Sequence, residues 1–161
     1  MGDYRIRNAE YEDLPRIEEI YAYARQFMEK TGNPTQWGKT EPPVEKLRDD
    51  ISKRKLYVLE TDTIHGVFFF SMEEDPTYAV IENGSWMSDE VYGTIHRIAG
   101  DGSGGVVKAA VEFGKTKCSH LRIDTHENNK VMQHVVEKLG FSRRGIIYIS
   151  DGSPRIAYEM V

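Results

Sequence analysis

Apolar residues recur along this chain with two different periods, and the switches between them predict its elements. Tyr4-Arg5-Ile6-Arg7 alternates and predicts a short first strand. Leu14, Ile17, Tyr21, Ala24 and Met28 then return every three or four residues, which places them on one face of a helix running to about Lys30. Asp13 stands where a cap is wanted, Pro15 is tolerated in a first turn, and Gly32-Asn33-Pro34 ends the pattern. Residues 31–42 read as a loop around Trp37. Pro43 opens a second helix with Val44, Leu47 and Ile51 on one face.

After Leu56 the period shortens to that of strands, expected at residues 56–59, 64–70, 78–81 and 93–99. Val67-Phe68-Phe69-Phe70 is apolar on both faces, so its strand is expected at the centre of a sheet covered on both sides. Asn83-Gly84 predicts a hairpin-type turn. A helix is expected from about residue 103 to 117, a strand over 121–124, and a helix over 129–139 with Met132, Val135, Val136 and Leu139 inward. Two last strands, 145–149 and 155–160, flank the reversal Asp151-Gly152-Ser153-Pro154. The order β-α-α-β-β-β-β-α-β-α-β-β predicts an α/β fold, a mixed sheet with helices on both faces. Residues 94–124 form its right-handed parallel crossover. A length of 161 residues suits one domain, 1–161, without repeat or linker.

Composition narrows the setting. No apolar run approaches the roughly 20 residues of a membrane span, and the charged opening Met1-Gly2-Asp3-Tyr4-Arg5 lacks the apolar core of a secretion signal. Cys118 is the only cysteine, which excludes an internal disulfide and points to a cytoplasmic protein. A net charge of −5 argues against nucleic-acid binding, and Arg143-Arg144 is the only adjacent arginine pair. An acidic surface favours a cationic partner such as an amine. The five histidines are scattered, and no metal is expected.

Ile95-His96-Arg97-Ile98-Ala99 leads into Gly100-Asp101-Gly102-Ser103-Gly104-Gly105, where a helix begins. Glycines let backbone N–H groups approach a ligand closely, and a helix start attracts phosphate oxygens, so a phosphorylated cofactor is expected here. Gly100-x-Gly102-x-x-Gly105 matches the dinucleotide fingerprint, with Asp124 about 20 residues on at the end of the next strand. Against a dinucleotide-binding oxidoreductase stands the order of elements: one helix follows that strand before the chain turns to an antiparallel hairpin. A P-loop is excluded because no Gly-Lys-Ser/Thr follows the turn.

The element order resembles the GNAT superfamily of acyl-CoA N-acyltransferases over nearly the whole chain. The family's Gln/Arg-x-x-Gly-x-Gly/Ala motif can be laid on Arg97-Ile98-Ala99-Gly100-Asp101-Gly102, although the spacing is compressed and the turn lacks Lys or Arg. Asn129-x-x-Met132-x-x-Val135-Val136-Glu137-Lys138-Leu139-Gly140-Phe141 is similar to the family's Asn-x-x-Ala-x-x-Leu-Tyr-Glu-Lys-Leu-Gly-Phe segment. By themselves Asn129 reads as a helix cap, Gly140 as a C-cap and Phe141 as core. The resemblance implies a GNAT-like fold, a mostly antiparallel central sheet with one splayed parallel strand pair, and acetyl-CoA (coenzyme A) as cofactor. The backbone of Ile98 and Ala99 would pair with the pantetheine arm. Gly100, Gly102, Ser103, Gly104, Gly105 and Val106 would hold the pyrophosphate, and Asn129 the pantetheine or thioester region.

The implied reaction is direct attack of an amine on the thioester, both being bound together. An alkylamine is protonated near neutral pH, so a base is wanted. His96, beside the glycine turn, is the first candidate and His126 the second, with Asp124 placed to orient either or to cap the next helix. Alternation puts Tyr92, Thr94, His96 and Ile98 on one face and Arg97 on the other. The family tyrosine that protonates the leaving thiolate falls at Val136, which has no proton to give. Trp37, Trp86 and Tyr92 are candidates for contact with the acceptor, a small-molecule or peptide amine. The resemblance is compatible with a homodimer. A non-catalytic acyl-CoA-binding sensor or partner domain is the alternative that the missing tyrosine and weakly basic turn would suit.

Overall fold

In the computed structural model, residues 3–161 are described; Met1 and Gly2, the start of the charged opening, lie outside them. The strands are β1 (Arg5–Asn8), β2 (Leu56–Glu60), β3 (Ile64–Ser71), β4 (Gly93–Gly100), β5 (Leu121–Thr125), β6 (Ser142–Tyr148) and β7 (Pro154–Met160). They form one sheet in the order β1-β2-β3-β4-β5-β7-β6, antiparallel except where β4 meets β5. Helices α1 (Leu14–Lys30) and α2 (Val44–Ser52) precede β2, α3 (Val106–Lys117) joins β4 to β5, and α4 (Lys130–Lys138) joins β5 to β6.

The apolar stripes sort onto the two faces as periodicity requires. Leu14, Ile17, Ile20, Tyr21 and Ala24 of α1, with Leu47 and Ile51 of α2, bury against Val58 and Val67. Val106, Ala110 and Val111 of α3, with Val136 of α4, bury against Leu59, Phe68 and Ile123. Val67 and its neighbour Phe68 thus serve opposite cores, and β3 is central and covered on both sides as expected.

Four local expectations give way. Asp13 does stand before α1, but its carboxylate accepts from Arg7 Nη1 and the Glu10 N–H, both at 2.8 Å, and caps nothing in that helix. Residues 78–81 are not a strand: Asp75 Oδ1 accepts the Thr77 N–H at 2.9 Å, and Pro76–Tyr78 form a single 3-10 turn. Their apolar run reflects Tyr78 and Ile81 packing with Tyr92 and Ile147, while Val80 is exposed. The Asn83-Gly84 turn joins no hairpin; Gly84 rests on β6, where an added Cβ would lie 1.8 Å from the Arg144 carbonyl oxygen. Finally, α3 starts three residues later than expected, because Gly104 (φ +94°) and Gly105 (φ +75°) are left-handed.

Strand β4 is irregular on both of its edges. The parallel ladder to β5 has two rungs, Gly93–Leu121 and Thr94–Arg122, and the strands then part. On its other edge β4 carries a bulge: Val67 and Phe69 of β3 pair with Ala99 and His96, so Phe68 alone stands against Arg97 and Ile98. Arg97 lies in that bulge with φ +54°, and Tyr21 Oη donates to its carbonyl at 2.7 Å.

Candidate active site

Two cavities meet where β4 and β5 part. The first, about 810 Å³, is walled by the 31–42 loop and residues 73–77, and its floor is formed by Phe69, Thr94, His96, Arg97, Asp124 and Arg155. The second, about 500 Å³, follows the glycine turn and the starts of α3 and α4. Met28, Ile98, Asn129 and Met132 line both, so the fork connects them.

His96 sits on the floor of the first cavity with a carboxylate near each ring nitrogen. Its Nε2 is 2.7 Å from Asp75 Oδ2, and its Nδ1 is 3.7 Å from Asp124 Oδ2. Burial would raise the Asp75 pKa, but the His96 hydrogen bond and charge, with two bonds from Thr77, outweigh it and bring the value down to about 2. Asp75 is therefore ionised at neutral pH and accepts from Nε2–H, so that in the neutral ring the lone pair falls on Nδ1. Tyr78 Oη donates to Asp124 Oδ2 at 2.7 Å; burial and that carboxylate raise its pKa well above the usual value. Asp75 and Tyr78 escape a sequence reading, since only the fold of residues 72–78 carries them to β4 and β5.

The bulge overturns simple alternation. Arg97 does not point away from His96: both line the first cavity, and the Arg97 guanidinium stacks 4.5 Å from the centre of the Phe69 ring while pairing with Asp50 at 2.7 Å. His126 lines the same cavity, but its nitrogens are engaged. Nδ1 accepts the Asn128 N–H at 3.0 Å, and Nε2 is 3.3 Å from Thr35 Oγ1. Burial, and then the Arg155 charge, lower its pKa and favour the neutral ring.

In the second cavity lie Ile98, Ala99, Gly100, Gly102, Gly104, Gly105 and Val106. A Cβ on Gly104 would meet nothing within 4 Å, so its backbone is open to a ligand. Ser103 is turned elsewhere: its N–H donates to Asp101 Oδ1 at 3.0 Å and its Oγ lies 3.0 Å from His65 Nδ1. Asp101 Oδ2 is held in turn by Arg16 Nη2 and His65 Nδ1, each at 2.9 Å, and Tyr4 Oη donates to the Gly104 carbonyl at 2.6 Å. The turn is thus braced from outside. Lys108, in the first turn of α3, lines the cavity and supplies the positive charge that the turn lacks.

Asn129 caps α4, its Oδ1 accepting the Met132 N–H at 3.0 Å, while its Nδ2 donates to Gln36 Oε1 at 3.2 Å in the fork. Trp37 lines the first cavity, packed edge-on against Tyr21. Trp86 and Tyr92 do not line it. They sandwich the Arg122 guanidinium, which lies 3.9 and 4.1 Å from the two ring centres, and so fasten the 79–92 segment to the sheet. A large aromatic in a predicted loop gives no sequence signal that separates these two fates.

A mixed sheet forked at its one parallel pair, with a glycine turn on one side and a carboxylate-flanked histidine on the other, has the architecture of an acyl-transfer domain. The family model for the acetyltransferase (GNAT) domain matches residues 4–142, and the chain belongs to that family. Solved structures agree. A GNAT-family acetyltransferase from Streptococcus agalactiae superposes with a TM-score of 0.86 at 28% identity, covering 98% of this chain and 95% of its own. An acetyltransferase from Staphylococcus aureus Mu50 shares the fold with a TM-score of 0.68 at 23% identity, covering 96% of each chain. No curated protein matches the chain. Among the described residues no helix is long and apolar enough to cross a membrane.

Proposed function

We propose that this chain is a cytoplasmic enzyme that transfers an acetyl group from acetyl-CoA to a primary amine of a small molecule or peptide, by direct attack with both partners bound. One observation carries the reading: the His96–Asp75 pair and the glycine-turn channel open into the same fork. Family membership supports acyl transfer in general; the acetyl donor and amine acceptor are our assignment.

The residues of the second cavity fit such a donor. Open backbone at Gly104 and Gly105, the start of α3 and Lys108 suit a pyrophosphate. The β5-facing edge of β4 beyond Thr94 lacks a strand partner, so backbone at Ile98 and Ala99 can hydrogen-bond an extended arm. Acetyl-CoA supplies the activated thioester. In the first cavity, the Asp124 carboxylate attracts the acceptor's ammonium, and His96 Nδ1 takes up its proton. Asp75 and Asp124 then flank the imidazolium that results. Val136 is fully buried among the α3-side core residues, so α4 presents no acid at the position of the family tyrosine. A thiol with a pKa near about 8.5 can leave without one. Confining both reactants at one fork provides most of the acceleration.

The test is release of free thiol from acetyl-CoA with a panel of amines. Thiol release coupled to N-acetylation is expected. Stabilisation by acetyl-CoA without release would identify a binding-only domain instead.

A further inference from the structure

Arg155 is carried by β7 into the first cavity. Ala157 pairs with Asp124 across the β5–β7 ladder, and Arg155, two residues before it, emerges on the same face of the sheet. It is only 6% exposed. Its hydrogen bonds go to main-chain carbonyls: Nη1 donates to Pro154 O at 2.9 Å and Nη2 to Gln36 O at 3.4 Å. Among the described residues no carboxylate forms an ion pair with it, whereas Arg97 and Arg122, also carried by this sheet, are matched, Arg97 by Asp50 and Arg122 by Glu159. Asp124 and Asp151 act on it from beyond contact distance, and burial outweighs them and lowers its pKa. An arginine stays charged even so. A buried guanidinium facing a cavity without a carboxylate of its own is a place for one brought from outside.

We infer that Arg155 is the carboxylate-binding residue of the acceptor site, and that the acceptor is an amino acid. Its ammonium lies toward Asp124 and His96, and its carboxylate takes the guanidinium fork. Asp124 and Arg155 are diagonal neighbours across the β5–β7 ladder, a spacing of roughly 7–8 Å, which suits an amino acid held at both ends by its hydrogen-bonding partners. This assignment rests on the N-acetyltransferase reading and names its substrate class.

The experiment compares the twenty common amino acids with the carboxamides of phenylalanine, leucine and lysine, in thiol release from acetyl-CoA and in thermal unfolding with coenzyme A present. At least one of these three amino acids is expected to exceed its carboxamide by tenfold or more in kcat/KM, a comparison that needs no variant. Arg155→Gln and Arg155→Lys should bring that ratio to within about twofold of unity, because neither presents the charged fork. A carboxamide used as well as its amino acid, or a ratio unmoved in folded variants, overturns the inference and leaves the transferase reading intact. If nothing is acetylated, the transferase reading fails, and unfolding decides the subsite. Amino acids that raise the unfolding temperature of the wild type but not of Arg155→Gln support it, and no shift in either refutes it.

Discussion

At the scale of single residues, the site is organised by which proton is held where. His96 is oriented by Asp75, whose ionisation is secured by the histidine and by Thr77. Replacing His96 by alanine removes the base without touching the glycine turn. We expect kcat to fall by about 10²–10⁴-fold while affinity for acetyl-CoA stays within about threefold, measured by steady-state kinetics and titration. Unchanged turnover would remove His96 from the mechanism. Asp75 gives a second, independent readout. Its folded pKa of about 2 lies below the ordinary 3.8, so its stabilising contribution is present above about pH 4 and is lost as pH falls through about 2. Acid unfolding of Asp75→Asn should therefore differ from wild type most at neutral pH, with the gap closing between pH 4 and 2. A gap that stays constant over that window would mean that the carboxylate's charge is not what stabilises the fold.

Elements were legible where burial sets the period, and obscure where a local bond breaks it. The stripes of α1 and α2 and the two-sided run in β3 are plain because each side chain meets the core that its position predicts. The bulge at Arg97 leaves no trace in composition, yet it brings Arg97 and His96 to one cavity. The Asp75 cap likewise replaces an expected strand by a turn and thereby delivers the partner of His96. The glycine turn was visible as a site, but its bracing by Tyr4, Arg16 and His65 was not, since those residues come from distant segments. At Gly104 a side chain would have room but the wrong backbone angle, φ +94°. Gly104→Val should therefore leave the core intact and weaken acetyl-CoA binding by about tenfold or more as the turn distorts. Retained affinity would move the phosphate site elsewhere. Position 136 separates family pattern from local packing. Because Val136 is fully buried, Val136→Tyr is expected to overpack the core, costing about 1–3 kcal/mol in denaturant unfolding and adding no turnover. A gain in rate with stability preserved would show that the helix can turn a phenol into the fork.

The whole molecule is two sub-sheets, β1–β4 and β5–β7–β6, hydrogen-bonded to each other at two rungs only. The closed end of that junction is fastened. The Gly93 N–H donates to the His120 carbonyl at 2.8 Å, and Glu159 of β7 gathers His120 Nε2 at 2.5 Å and the Met87 N–H at 2.6 Å. Arg122, next on β5, donates to the Ser88 carbonyl at 2.7 Å. The open end has no ladder across it, and its space is continuous with both cavities. A ligand arm that fills the open end would replace missing hydrogen bonds without moving the closed one. Amide exchange should therefore slow with acetyl-CoA at those N–H groups of residues 95–100 and 123–125 that point into the gap rather than to β3 or β7, and stay unchanged at residues 93, 94, 121 and 122. Ligand at a hundredfold above its Kd should also add about 2.7 kcal/mol of stability, a rise in Tm of roughly 5–11 °C, while NAD adds none. Two outcomes contradict an open fork that takes acetyl-CoA. One is slow exchange at the gap-facing amides of 95–100 before any ligand is added, which would mean the strands close on each other in solution. The other is an equal shift with NAD, which would return the glycine turn to its dinucleotide reading.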